Sequence, residues 1–181
     1  MVMTAPRMPG RATDLRAIDA RAVLAALDGV PDPEIPTVSI VELGMIGEVE
    51  VDPGGIRVEL LPTFVGCPAL EAIRDAVSSR LAAFDRPVRV DVSFATPWTS
   101  DRISPAGREK LRRSGFAPPP HVLAGRSLPI LDPASTVADP VPCPYCGSLR
   151  TTLENAFGPT QCRSIRHCAD CRQPFEAFKA I

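Results

Sequence analysis

Two pairs of cysteines near the C-terminus, Cys143-Pro-Tyr-Cys146 and Cys168-Ala-Asp-Cys171, carry the clearest chemistry in this chain. Twenty-one residues separate them, so the pattern reads C-x2-C-x21-C-x2-C. A C-x-x-C turn aims both sulfurs at one point, and two such turns supply the four thiolates a tetrahedral ion requires. Gly147, directly after the second cysteine, lets the backbone curl back as a metal-binding knuckle requires. The segment 143–181 is too short to bury an adequate core, so bound metal is expected to supply most of its stability. The spacing therefore predicts a structural zinc ribbon with Cys143, Cys146, Cys168 and Cys171 as ligands. Iron in a rubredoxin-like centre or a cluster would use the same four sulfurs, and a disulfide-stapled module is the other alternative. Disulfides imply export, but Met1 to Arg7 leads into no apolar h-region. Apolar runs are only a few residues long, so no transmembrane helix is expected and the chain reads as cytoplasmic.

Three further features lie upstream. Thr63-Phe-Val-Gly-Cys67-Pro68 joins a strand to a helix. With Pro68 as first helical residue, Cys67 is at the N-cap, where free N–H groups and the helix dipole favour thiolate and lower its pKa. Such a thiolate could bind a soft metal or act as a nucleophile, but a small residue packed at a strand–helix corner is the common role of a lone cysteine. Asp32-Pro33-Glu34 sets two carboxylates on a stiff loop, suited to a hard ion or a general base, although acidic loop residues mostly cap turns. Ala95 to Asp101 contains the single tryptophan, Trp98, which either covers the sheet end or anchors a partner. His121 lies in a proline-rich stretch. His167 precedes Cys168 and could replace a thiolate, and Cys162 is a surplus thiol that reads as a small buried residue. No Walker loop, dinucleotide fingerprint, G-x-S-x-G or H-E-x-x-H is present, so no catalytic residue is assigned.

The elements that must hold these groups follow from periodicity. Residues 1–12 show no pattern and are expected to be disordered. A first helix is predicted from a cap at Thr13 or Asp14, with Leu15, Ile18, Ala22, Ala25 and Ala26 on one face, stopped by Gly29 and Pro31. Apolar alternation within Val38–Val51, a turn at Asp52-Pro53-Gly54-Gly55 and alternation over Ile56–Leu60 predict a β-hairpin. Leu70, Ile73, Val77, Leu81 and Phe84 form the stripe of a second helix. Val88, Val90, Val92 and Phe94 alternate as a third strand, and Ser104-Pro105 opens a short basic helix ending at Gly115. The order α-β-β-α-β-α over residues 13–116 predicts an α/β fold, a small two-layer domain with helices on one sheet face. Residues 117–142 hold seven prolines and read as a semi-rigid spacer that tethers, rather than fuses, the ribbon at 143–181. The chain has 181 residues, 45 % of them apolar, with 20 basic side chains against 21 acidic. With no basic field, nucleic acid is not an expected partner.

The run Asp32-Pro33-Glu34-Ile35-Pro36, followed by Thr63 to Pro68, resembles the MIP18 family of iron–sulfur assembly proteins, formerly DUF59. Trp98-Thr99-Ser100-Asp101, Gly107…Leu111…Gly115, Pro118-Pro119 and the terminal ribbon narrow the resemblance to the D components of ring-1,2-phenylacetyl-CoA epoxidase (oxygenase) systems. The ribbon's Phe157 to Cys162 and Pro174 to Lys179 are similar to that family's last segment, while Ala180 stands where the family has a cysteine. The resemblance implies an accessory role in aerobic phenylacetate catabolism, beside oxygenase and reductase components, in maturing an iron or iron–sulfur centre. It implies Cys67 as a transient iron or cluster ligand with Asp32 and Glu34 on the same loop surface. A single thiolate needs help to hold a cluster, so a second ligand set is expected from a homodimer mate or the recipient. A non-catalytic docking component whose zinc is purely structural is the competing expectation.

Overall fold

The computed structural model describes residues 18–121 and 141–180. The expectations for residues 1–12, for a helix cap at Thr13 or Asp14, for Leu15 and for most of the spacer fall outside them. Helix α1 spans Ala20–Leu27, and its N-cap is Asp19, whose carboxylate accepts the Ala22 N–H at 2.8 Å. The face it buries is Val23 and Leu27, not Ala22 and Ala25 as the spacing suggested. The larger side chains remove more apolar surface from water and so decide the rotation of the helix.

Strands β1 (Ile46–Asp52) and β2 (Gly55–Leu60) form the expected hairpin around Pro53-Gly54. The Asp52 carboxylate accepts the N–H groups of Gly54 and Gly55, at 2.7 and 3.1 Å. Helix α2 (Leu70–Leu81) buries Ile73, Val77 and Leu81 of the predicted stripe, while Leu70 is half-buried and Phe84 lies in the 3-10 turn beyond the helix. Strand β3 (Val88–Val92) then pairs parallel with β2, giving a three-stranded sheet of order β1-β2-β3. Phe94, expected to continue that strand, lies beyond it and is exposed. Ile56, Val58 and Leu60 alternate inward from β2 to share a core with α1 and α2. The opposite sheet face carries Arg57 among Glu48, Glu50 and Asp91. This is the two-layer α/β arrangement.

Residues 30–45 are tight turns rather than the start of a strand. Ile35, Val38, Ile40, Leu43 and Met45 are all buried there, because the turns close on the core. Helix α3 (Pro105–Arg113) begins with a Ser104 cap that accepts the Gly107 N–H at 3.0 Å. A side chain at Gly107 would meet the Glu42 carbonyl at 2.7 Å, so glycine is what lets α3 lie against this segment.

The second sheet has order β4-β7-β6-β5, from β4 (Phe116–Ala117), β5 (Thr151–Asn155), β6 (Arg163–Cys168) and β7 (Pro174–Phe178). Here the expectation of a tethered ribbon is corrected. Strand β4, which directly follows α3, pairs parallel with β7, and Phe178 of β7 is 6 % exposed within the core of the first sheet. Phe116 meets Phe178 edge to face, with ring centroids 6.5 Å apart. A proline count describes the spacer alone. It carries no information on whether the units it joins share apolar surface.

Candidate metal centre and facing cleft

The ribbon's sulfurs converge. Cys143, Cys146, Cys168 and Cys171 place their Sγ atoms within 4.8 Å of one another, the one such group found among the described residues. Cys143 and Cys171 are 3.6 Å apart, as are Cys146 and Cys168. A tetrahedron with metal–sulfur bonds of about 2.3 Å has edges of about 3.8 Å, so the donor set fits a four-thiolate ion. All six cysteines are free thiols, which removes the stapled alternative in this structure. Both knuckles are built alike. Gly147 (φ +76°) donates its N–H to the Cys143 carbonyl, and Arg172 (φ +60°) donates to the Cys168 carbonyl, both at 2.9 Å. The N–H groups of Cys171 and Asp170 pull the Cys168 thiol down to about 6, while burial pushes Cys171 up to about 12. The bare thiols thus compete for protons that a dication would displace. His167 stands outside this set.

Asp32, Glu34 and Cys67 meet in a cleft of about 250 Å³ between the α/β body and the ribbon. Its walls include Asp32, Glu34, Thr63 and Cys67 from the body, with Thr160 and Cys162 from the ribbon. Asp32 performs the turn-capping role. One carboxylate oxygen accepts the N–H groups of Glu34 and Ile35 at 2.9 Å each, and burial holds its pKa above the usual carboxylate value. Glu34 receives an Arg163 guanidinium N–H at 3.0 Å. Arg163 is 6 % exposed and also pairs with Glu176 at 2.9 Å, donates to Thr160 Oγ1 at 2.7 Å and lies over the Phe116 ring. It therefore pins ribbon to body beside the cleft.

The expectation for the Cys67 thiol is overturned in sign. Helix α2 starts at Leu70, so Cys67 occupies the turn before it rather than the N-cap. Burial raises its pKa first. The Ala69 N–H lowers it, while the negative charge available on Glu34, Asp32 and Cys162 raises it further. Cys162, read from sequence as a packed small residue, does pack half-buried against the core and also lines the same cleft, its sulfur 3.2 Å from Thr160 Oγ1. Nothing in local spacing linked it to Cys67. Trp98 is 5 % exposed and its indole N–H donates to the Leu43 carbonyl at 2.9 Å, so it is a core residue and no anchor. His121 contacts Asp101 at 3.0 Å on the surface, away from the cleft.

Residues 20–94 match the family model described as iron-sulfur cluster assembly protein, and residues 132–179 match that of the PaaD zinc beta ribbon domain. Fold and site together define an assembly-type α/β domain carrying a four-cysteine zinc ribbon. A protein of Escherichia coli (strain K12) whose name makes it the D component of 1,2-phenylacetyl-CoA epoxidase is 39 % identical over 163 residues, 88 % of this chain and 92 % of its own. The chain belongs to this PaaD family of phenylacetyl-CoA epoxidase components. Two solved structures are also similar. A DUF59 domain from Bacillus anthracis is 28 % identical, covering 50 % of this chain and 89 % of its own, with a TM-score of 0.47. A conserved hypothetical protein from Thermotoga maritima is 29 % identical, covering 52 % and 94 %, with a TM-score of 0.46. No helix among the described residues is long and apolar enough to cross a membrane.

Proposed function

We propose that this chain is an accessory, non-catalytic subunit of a phenylacetyl-CoA epoxidase system that helps mature an iron or iron–sulfur centre of the oxygenase or its reductase. The observation that carries the reading is the cleft, in which the half-buried Cys67 thiol opens beside two carboxylates on a body of the assembly type. On this reading Cys67 takes the iron transiently, with Glu34 and Asp32 lining its path. Zinc fills the four ribbon thiolates, whose mutual distances fit it and whose role is structural. Bound there, zinc supplies no redox or Lewis-acid step. Four thiolates over-compensate the dication and leave the centre with a net negative charge, and β6 and β7 hold the cleft wall in place. The partners are the oxygenase and reductase components, in the cytoplasm.

The test is the zinc and iron content of protein purified without oxygen, for the wild type and Cys67→Ala. We expect about one zinc per chain in both. Labile iron is expected only with Cys67 intact. Zinc without iron in either protein would transfer the assignment to a docking component.

A further inference from the structure

We infer that Cys162, contributed by the ribbon, is the second thiol of the iron-loading cleft and shares the incoming iron with Cys67. This rests on the assembly reading above and answers the question a single thiol leaves open, namely where the second soft ligand comes from. The residues come from two separate units that meet only because the ribbon is docked. Cys67 lies in the turn before α2, and Cys162 immediately precedes β6, yet both line one cleft with Asp32 and Glu34. The residue after Cys162 is Arg163, whose ion pair with Glu34 holds the ribbon against the body beside the cleft.

Each sulfur also has a polar neighbour. The Ala69 N–H serves Cys67. Thr160 Oγ1 lies 3.2 Å from the Cys162 sulfur and accepts the Arg163 Nε–H at 2.7 Å. The two sites differ in how tightly they converge. The four ribbon sulfurs close within 4.8 Å of one another, whereas no three of the cleft's thiols and carboxylates converge into such a set. Four convergent thiolates hold an ion permanently. Two thiols and a carboxylate in an open cleft hold iron loosely and leave coordination positions for a recipient's ligands, which suits transfer.

The experiment uses the full chain with zinc in the ribbon, reduced and free of oxygen, titrated with cobalt(II) as a coloured stand-in for iron(II). Zinc binds thiolate sites more tightly than cobalt, so the ribbon stays filled. We expect sulfur-to-cobalt charge-transfer absorption of two thiolates in the wild type. Cys67→Ser and Cys162→Ser should each halve that intensity and weaken binding about tenfold or more. Cys162→Ala serves as a second variant, and zinc content with Trp98 fluorescence confirms folding of each. Should Cys162→Ser and Cys162→Ala keep wild-type intensity and affinity while Cys67→Ser loses them, the inference falls and the assembly reading stands. If cobalt fails to bind beyond the ribbon, or Cys67→Ser changes nothing, both fall. Iron(II) with and without sulfide then tells ion from cluster, and either form must be lost with both cysteine variants.

Discussion

Arg172 holds a left-handed backbone conformation, φ +60°, at the place in its knuckle where the other knuckle has Gly147. A side chain there costs about 1 kcal/mol relative to glycine. Arg172→Gly is therefore expected to raise stability by roughly 0.5–1 kcal/mol, measured by urea denaturation of the metal-loaded protein. Glu42 gives a pH-dependent case. Burial opposes its charge, but Lys110 and the Ser39 N–H, at 2.8 and 2.9 Å, outweigh burial and set its pKa below the ordinary 4.5. A depressed carboxyl pKa adds stability above the unfolded value, and that stability drains away as pH falls through the folded value. Glu42→Gln keeps an acceptor for Ser39 and loses the charge. It should cost about 1–2 kcal/mol at neutral pH, discounted for the half-exposed Lys110. The gap between variant and wild type should shrink in melts run below pH 4.5, whereas a constant gap would assign the loss to packing.

Strand β7 contacts both cores: Phe175 and Ala177 pack in the ribbon, while Phe178 packs in the body. Removing the Phe178 ring should cost about 3–5 kcal/mol, as for other buried phenylalanines. The loss should appear in the body, although the residue belongs to the ribbon. Trp98, the only tryptophan, is buried in that body core and reports on it directly. Phe178→Ala should shift the denaturant midpoint of Trp98 fluorescence downward, and an unmoved midpoint would restore the independent-ribbon picture. Parallel pairing of β4 with β7 makes the same point for the backbone, since the strand leaving α3 is an edge of the ribbon's own sheet.

At the scale of the molecule, metal at the ribbon is expected to order the cleft, because the ribbon supplies one wall of it. Chelating the ribbon metal, or substituting Cys168→Ser, should lower the melting temperature read through Trp98 and increase alkylation of Cys67. A Trp98 transition unchanged by chelation would show that the two units are uncoupled. The sequence alone determined what depends on neighbours a few residues apart. The paired C-x-x-C turns announced converging sulfurs, the spacing of Ile73, Val77 and Leu81 announced the buried face of α2, and alternation through Ile56, Val58 and Leu60 announced β2. Such features are legible because turn geometry and element period are local properties of the chain. Only the tertiary structure decided that the ribbon docks, that Trp98 is core, that Cys67 lies under burial rather than at a helix cap, and that Cys162 lines the same cleft. Those outcomes depend on which distant surfaces meet, and the burial that results decides both the charge state of a thiol and the company it keeps.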